Sequence, residues 1–190
     1  MIDELLRFRV LLQLKSVERL LPVGVRKESS AEHSWSCLLL ADFFLSILDL
    51  PLDRLKVYEL LMYHDVIEIE SGDSPLHPDK SYLRYRSKKD EREEKAIGVL
   101  RERLPRSLQE KFVTLFSEFE ARETPEARFA KAIDALEPIL HGLDYKDDWK
   151  GWSVAFLREK KLPLFEGIPG LQDAFLELLD FLQVHGYLDR

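Results

Sequence analysis

A histidine, an aspartate and a glutamate lie close together in segment 63–73, which is otherwise rich in apolar residues. On a helix, at about 100° per residue, the side chain of Glu68 projects between those of His64 and Asp65. Imidazole and carboxylate groups bind divalent metal ions and transfer protons. The segment therefore predicts a chemical site; the alternative is a solvated helix face that carries these residues by chance.

A second histidine, His33, is predicted to point into the core. Ser29 and Glu32 have the spacing of a capping box that opens a helix, and His33 follows in its first turn. His33 shares a helical stripe with residues at intervals of three or four, namely Cys37, Leu40, Phe44 and Leu48. By itself this pattern favours a core histidine bonded to a backbone carbonyl. Combined with the His64-Asp65 pair, the pattern favours a metal-ligand role more strongly than it does alone.

Two further aspartates are candidates for the same site. Thr124 and Pro125 predict the start of a helix, and Asp134 lies on that helix between its apolar side and its edge. Asp73 follows Gly72, where a helix is expected to end, and so it is placed on a loop just past the His64-Asp65 pair. The alternative role of Asp73 is that of a turn-forming residue.

The elements that must position these residues are predicted to be helices. Apolar residues recur at helical spacing along the chain, and no β-type alternation of useful length is found. Expected features are a helix over 5–17, a loop over 21–28, a helix over 52–69 and an exposed, charged helical segment over 80–103. The 190 residues, 45% of them hydrophobic, suffice for one core, so a single all-α domain over 1–190 is predicted.

Composition excludes several classes of function and site. The net charge of -7 argues against a broad nucleic-acid-binding surface but permits a small anion pocket. Cys37 is the single cysteine, which excludes an intrachain disulfide and a cysteine-rich zinc site. No signal peptide or membrane span is evident in the sequence. We therefore expect a cytoplasmic protein without a membrane partner.

The order of a histidine, a His-Asp pair and a distant aspartate resembles the HD-domain metal-dependent phosphohydrolases. The resemblance covers residues from about 14 to 143, and the helices of 144–190 are expected to pack on this motif-bearing core. Within the family the chain is most similar to the 5'-deoxynucleotidase branch. The segments that carry this similarity are SAEHS at 30–34, YHDVIE at 63–68 and GDSP at 72–75.

The resemblance implies a helical bundle with one divalent metal ion in its core, which could be Co, Mn, Zn, Mg, Fe or Ni. The implied metal ligands are His33, His64, Asp65 and Asp134. Glu68 and Asp73 would be the catalytic carboxylates, with Glu68 as general base and Asp73 also bound to the sugar 3'-hydroxyl. Arg19 corresponds to a phosphate-contacting arginine. Leu20 and Leu76 replace residues, a tryptophan and a hydroxyl residue, that contact substrate in this branch.

The implied function is removal of the 5'-phosphate from (deoxy)nucleoside monophosphates by a homodimeric enzyme with a small phosphorylated substrate and no nucleic-acid partner. One alternative is an HD-domain hydrolase of another nucleotide or phosphate ester. Another is a non-catalytic regulatory module that a metal ion stabilises. A helical bundle without metal is disfavoured, because burying two unpaired histidines and two unpaired aspartates costs several kcal/mol.

Overall fold

The computed structural model describes residues 1–189, which fold mainly into α-helices. The helices are α1 (Ile2–Phe8), α2 (Ser30–Ile47), α3 (Arg54–Tyr63), α4 (Glu68–Ser71), α5 (Lys80–Arg86), α6 (Lys89–Arg103), α7 (Arg106–Ala121), α8 (Pro125–His141), α9 (Val154–Lys161) and α10 (Pro169–Val184). Short 3-10 helices cover Leu11–Ser16, Gly142–Asp144, Lys146–Trp149 and Leu162–Leu164. The all-α prediction is confirmed.

Four helices, α2, α3, α7 and α8, pack against one another and enclose the core. Each contributes fully or almost fully buried apolar side chains, such as Cys37 from α2, Leu60 from α3, Phe112 from α7 and Ile133 from α8. The start of α2 has the predicted capping box, and the Thr124 hydroxyl caps α8. Because His33 is also completely buried, its predicted inward direction is confirmed.

The expectation of a loop over 21–28 and of no β-structure is wrong. Strands β1 (Glu18–Val23) and β2 (Arg26–Ser29) form an antiparallel hairpin in which Val23 pairs with Arg26. Gly24 has a φ of 62°, which permits the tight connection between the strands. The register is irregular between Glu18 and Pro22, so the strands lack the regular alternation by which a sequence reveals a strand.

The helix predicted over 52–69 is interrupted after Tyr63. The amide of Val66 bonds the carbonyl of Tyr63 at 3.1 Å, and the amide of Glu68 bonds that of Asp65 at 2.9 Å. These bonds reach back three residues instead of four, which tightens the turn between α3 and α4. His64 and Asp65 therefore lie at a turn, and Gly72, with a φ of 71°, ends α4 before the loop of Asp73.

Segment 80–103 is not the fully exposed, charged helical segment that the sequence predicts. It forms two helices, α5 and α6, and Glu93 is buried. Lys89 Nζ lies 3.3 Å from a Glu93 carboxylate oxygen and 3.2 Å from one of Glu120 on α7. These contacts explain why part of the charged segment faces inward: its charges are neutralised by partners on α6 and α7.

The N-terminal helix is shorter than predicted. Helix α1 ends at Phe8, and the 3-10 helix Leu11–Ser16 leads to β1, with Leu14 buried and Leu5 exposed. At the other end of the chain, α10 packs on α8, and Phe165 stacks on Phe175 with ring centroids 4.6 Å apart. Within residues 1–189, no helix is both long and apolar enough to cross a bilayer.

Candidate active site

His33 presents one ring nitrogen to the centre of the site. Its Nδ1 lies 2.7 Å from Glu137 Oε2 and its Nε2 lies 3.1 Å from Asp134 Oδ1. Because a carboxylate can only accept, we assign the ring proton to Nδ1, which donates to Glu137. The lone pair of Nε2 then points toward Asp134, as a metal ligand requires.

His64 is oriented in the same way by the backbone. Its Nδ1 donates to the carbonyl of Leu61 at 2.7 Å, so its Nε2 carries the lone pair. That nitrogen is buried and has no hydrogen-bond partner within residues 1–189, although it lies 3.2 Å from Asp65 Oδ1 and 3.7 Å from Asp134 Oδ1. Burial lowers the pKa of His64, which favours the neutral imidazole.

Four side chains from α2, the α3–α4 turn and α8 therefore converge, as the sequence predicts for the metal ligands: His33, His64, Asp65 and Asp134. Burial alone would raise the pKa of Asp134, but the ammonium of Lys131, 3.1 Å from Asp134 Oδ2, holds it well below its usual range. A carboxylate and an unpartnered imidazole nitrogen repel unless a cation lies between them. The donor set fits a divalent transition metal ion.

Cys37 lies beside the same histidine, with its Sγ 3.5 Å from His33 Nε2. His33, Cys37 and His64 could thus hold a metal by position alone. Burial raises the pKa of the Cys37 thiol to about 12, so the thiol stays protonated. The two imidazoles and the two carboxylates remain the stronger donor set.

Glu68 lies next to the four converging side chains and is 7% exposed. The hydroxyl of Ser30 donates to Glu68 Oε2 at 2.6 Å, which leaves Oε1 free of that bond. Burial and the charges of Asp65 and Asp73 raise the pKa of Glu68 well above its usual value. A carboxylate with a raised pKa is suited to taking a proton near neutral pH.

Arg19, on β1, connects the hairpin to this acidic cluster. Its Nη1 lies 3.1 Å from Asp65 Oδ2 and 3.8 Å from Asp73 Oδ1, and its Nε lies 3.3 Å from Glu28 Oε2. Burial alone would lower the pKa of Arg19, but Asp65 and Asp73 raise it, so the guanidinium is charged. The structure thus brings Arg19, Glu68 and Asp73 to the centre where His64 and Asp65 lie.

Sequence reasoning missed the residues that support these groups. Glu137, buried on α8, fixes the tautomer of His33, and buried Glu28 on β2 contacts both Arg19 and His141. The signal for Glu137 was its spacing of three residues from Asp134, which places both on one helix face. Glu28 had no such signal, because its segment was expected to be a loop.

A cavity of about 270 Å³ opens beside the site. Its lining includes Arg19, Asp65, Glu68, Asp73 and Asp134, and also residues from the last third of the chain, where no motif was found: Trp149, Trp152, Leu157, Lys160, Lys161 and Leu164. The cavity is therefore acidic at the converging carboxylates and apolar at the aromatic wall. Leu20 and Leu76, which differ from the branch pattern, lie in the same lining.

Comparison with known proteins identifies the family of this chain. An HD-domain family model matches residues 11–161. The 5'-deoxynucleotidase HDDC2 of Bos taurus is 34% identical over 147 residues, which are 75% of this chain and 68% of the relative. The mouse protein of the same name is 32% identical over 147 residues, covering 75% of this chain and 70% of the relative.

A solved structure is similar over the entire chain. A predicted metal-dependent phosphohydrolase from Magnetospirillum magnetotacticum MS-1 superposes with a TM-score of 0.84 at 34% identity, covering 100% of this chain and 96% of that one. The family model, the relatives and the solved structure all point to a phosphohydrolase of the HD-domain type. The chain therefore belongs to the HD-domain family and is a phosphohydrolase that depends on a divalent metal ion.

Proposed function

We propose that this enzyme removes the 5'-phosphate from deoxynucleoside monophosphates. The observation that carries the proposal is the cavity that joins the four converging side chains to Arg19, Glu68 and Asp73. The relatives in cow, mouse and fission yeast are all named 5'-deoxynucleotidases. An aromatic and apolar wall beside a charged site suits a ligand with a phosphate at one end and a base at the other.

His33, His64, Asp65 and Asp134 are the proposed ligands of one divalent ion. Two imidazoles and two carboxylates favour Mn, Fe, Co, Ni or Zn over Mg, which prefers oxygen ligands alone. When bound, the ion would neutralise charge on the phosphoryl group and lower the pKa of a bound water. Glu137 and the Leu61 carbonyl hold the two imidazoles in the required tautomers.

Glu68 is the proposed general base. Its Oε2 accepts from the Ser30 hydroxyl, so Oε1 is the atom that would take a proton from the attacking water. The raised pKa of Glu68 favours that transfer near neutral pH. The proton can then pass to the leaving 5'-oxygen, which departs as the sugar hydroxyl.

Arg19 and Asp73 are the proposed substrate-binding residues. The guanidinium of Arg19 offers paired N–H donors that match phosphate oxygens. The carboxylate of Asp73 accepts a hydrogen bond from the sugar 3'-hydroxyl, and its position 3.8 Å from Arg19 keeps sugar and phosphate contacts adjacent. The proposed deoxyribose preference requires that this carboxylate and the backbone beside it leave no room for a 2'-hydroxyl.

We further propose that the chain is one domain, acts as a homodimer and resides in the cytoplasm. Four apolar side chains spaced four residues apart on α2 are each more than half exposed: Trp35, Leu39, Phe43 and Ile47. They form a continuous stripe, and a second copy could bury it. Light scattering should give a dimer mass for wild type and a monomer mass for Phe43→Glu, with Val184→Glu, at an exposed site on α10, as control.

The test of function is phosphate release from deoxy- and ribonucleoside 5'-monophosphates by metal-stripped protein to which single ions are returned. We expect release that requires metal and favours deoxynucleotides. Asp65→Ala should lose metal and activity together, whereas Glu68→Ala should keep metal and lose turnover by about 100-fold or more. Glu91→Ala, at an exposed site on α6, is the control. Turnover by Glu68→Ala equal to wild type would remove Glu68 from the mechanism.

The test also separates the alternatives. Metal-dependent hydrolysis of another phosphate ester, with none of the monophosphates cleaved, would keep the enzyme and change its substrate. One bound metal per chain without any hydrolysis would instead favour a regulatory module that metal stabilises.

A further inference from the structure

Lys161 is a buried cation that has no role in the proposed mechanism. It ends α9, is 8% exposed and lines the cavity beside the active site. Its ammonium donates one hydrogen bond, to the carbonyl of Ala135 at 2.6 Å. No carboxylate in the described part of the chain forms an ion pair with it.

The position of Lys161 relative to α8 brings it to the catalytic end of the cavity. Ala135 directly follows Asp134, so the ammonium is anchored one residue from a converging carboxylate. An ammonium has three donors, and the Ala135 carbonyl satisfies one of them. Burying a charged group whose other donors face a cavity is costly unless a ligand accepts from them.

Arg86 is a second cation in the same cavity lining. Its Nη1 donates to the carbonyl of Ser74, and it forms no ion pair among residues 1–189. Burial lowers the pKa of Lys161 to about 8, although the charge of Asp134 opposes this, and the charges of Arg86 and Arg19 act in the same direction as burial. Arg86 and Arg19 are therefore close enough to Lys161 for their charges to act on it. By contrast, Lys89 and Lys131 in the same lining are paired with Glu120.

The acidic end of the cavity requires such unpaired cations. Four carboxylates line it, from Asp65, Glu68, Asp73 and Asp134, whereas Arg19 is shared among three carboxylates. Negative charge on these carboxylates opposes the approach of a phosphate dianion. Cations without a carboxylate partner are therefore the groups most able to offset the charge of an entering phosphate.

We propose that Lys161 and Arg86 bind the phosphoryl oxygens of the substrate, as a second cationic contact besides Arg19. The inference rests on the proposed function, because it takes the phosphate to lie at the acidic end of the cavity. Lys161 is thus a substrate-binding residue from the part of the chain that carries no family motif. Its charge and hydrogen-bond donors act on the phosphate and not on the metal.

The experiment measures the binding of inorganic phosphate to metal-loaded protein by calorimetry, together with KM and kcat for a deoxynucleoside monophosphate. Lys161→Met should weaken phosphate binding by about 10- to 100-fold, the effect of losing a charge-assisted hydrogen bond in a buried site. KM should rise in parallel, and the affinity of metal-stripped protein for the returned ion should change less than about threefold. Lys150→Met, at an exposed lysine outside the cavity that pairs with Asp147, is the matched control.

Two further variants keep the test decisive if Lys161→Met does not fold. Lys161→Arg should keep phosphate affinity within about tenfold of wild type, and Arg86→Gln should weaken it. Phosphate affinity unchanged in folded Lys161→Met, or reduced equally in Lys150→Met, would overturn the proposal. Lys161 would then only connect α9 to α8 through its hydrogen bond to the Ala135 carbonyl. If wild type binds phosphate but cleaves no monophosphate, the proposed function fails while the phosphate site stands.

Discussion

Glu137 should contribute to metal affinity although it is not among the proposed ligands. Its Oε2 lies 2.7 Å from His33 Nδ1, and both side chains are buried. Removing a charged acceptor from a metal-binding imidazole frees the ring to rotate and makes it less basic. Glu137→Ala should therefore weaken metal binding by about 10- to 100-fold. That loss corresponds to about 1.4–2.7 kcal/mol.

Glu137→Gln separates orientation from charge. The amide oxygen of glutamine can still accept from Nδ1, so the tautomer of His33 is kept, but the negative charge is lost. We expect a smaller loss of metal affinity than for Glu137→Ala, of about threefold to tenfold. Glu177→Ala, at an exposed site on α10, should have no effect.

The assay is calorimetric titration of metal-stripped protein with Mn or Co ions, with folding checked by circular dichroism. His33→Ala sets the scale for loss of a ligand. Metal affinity of a folded Glu137→Ala variant within twofold of wild type would refute the reasoning that Glu137 orients His33. A loss in Glu137→Gln as large as in Glu137→Ala would instead assign the entire effect to charge.

Three other outcomes are expected. Ser30→Ala removes a hydrogen bond that lowers the pKa of Glu68, so the acid limb of the pH profile of kcat/KM should move to higher pH. An acid limb at the same pH as in wild type would show that Ser30 does not influence the general base. Phe175→Ala should cost about 3–5 kcal/mol in urea unfolding, against less than about 1 kcal/mol for Phe181→Ala, which is 42% exposed. The hydrogen bond to Glu28 raises the pKa of His141, so the stability that this pair adds is fully present below pH 6.5 and is lost as the pH rises through the raised pKa. His141→Gln should therefore be about 1 kcal/mol less stable than wild type at pH 6. Well above the raised pKa, the variant and wild type should be about equally stable.

The residues whose side chains commonly bind metal ions could be identified from the sequence. His33 lies on an apolar helical stripe, so its spacing predicted that it faces inward. The His64-Asp65 pair was singled out by its residue types within an apolar run, and its direction was left open. The order of these motifs with Asp134 then indicated the family. The direction of His33 needed only helical periodicity, which acts over a few residues. The family was indicated by resemblance of the motif order.

The hairpin and its consequences were not accessible in this way. Strand pairing between β1 and β2 depends on contacts between residues several positions apart, and the irregular register hides the alternation of a strand. The pairing fixes where Arg19 and Glu28 lie, so the ion pairs of Arg19 could not be foreseen. The break after Tyr63 depended likewise on local hydrogen bonds that periodicity does not reveal.

The sequence by itself determined which groups could hold a metal, because the residue types and helical spacing of His33, His64, Asp65 and Asp134 limit where such groups can face. Only the tertiary structure decided what surrounds them. Glu137 and Lys161 reach the site through packing of α8 and α9, over separations at which no sequence pattern specifies a contact. Burial and distance set the charge, tautomer and hydrogen bonding of each group, and both arise only when the helices come together.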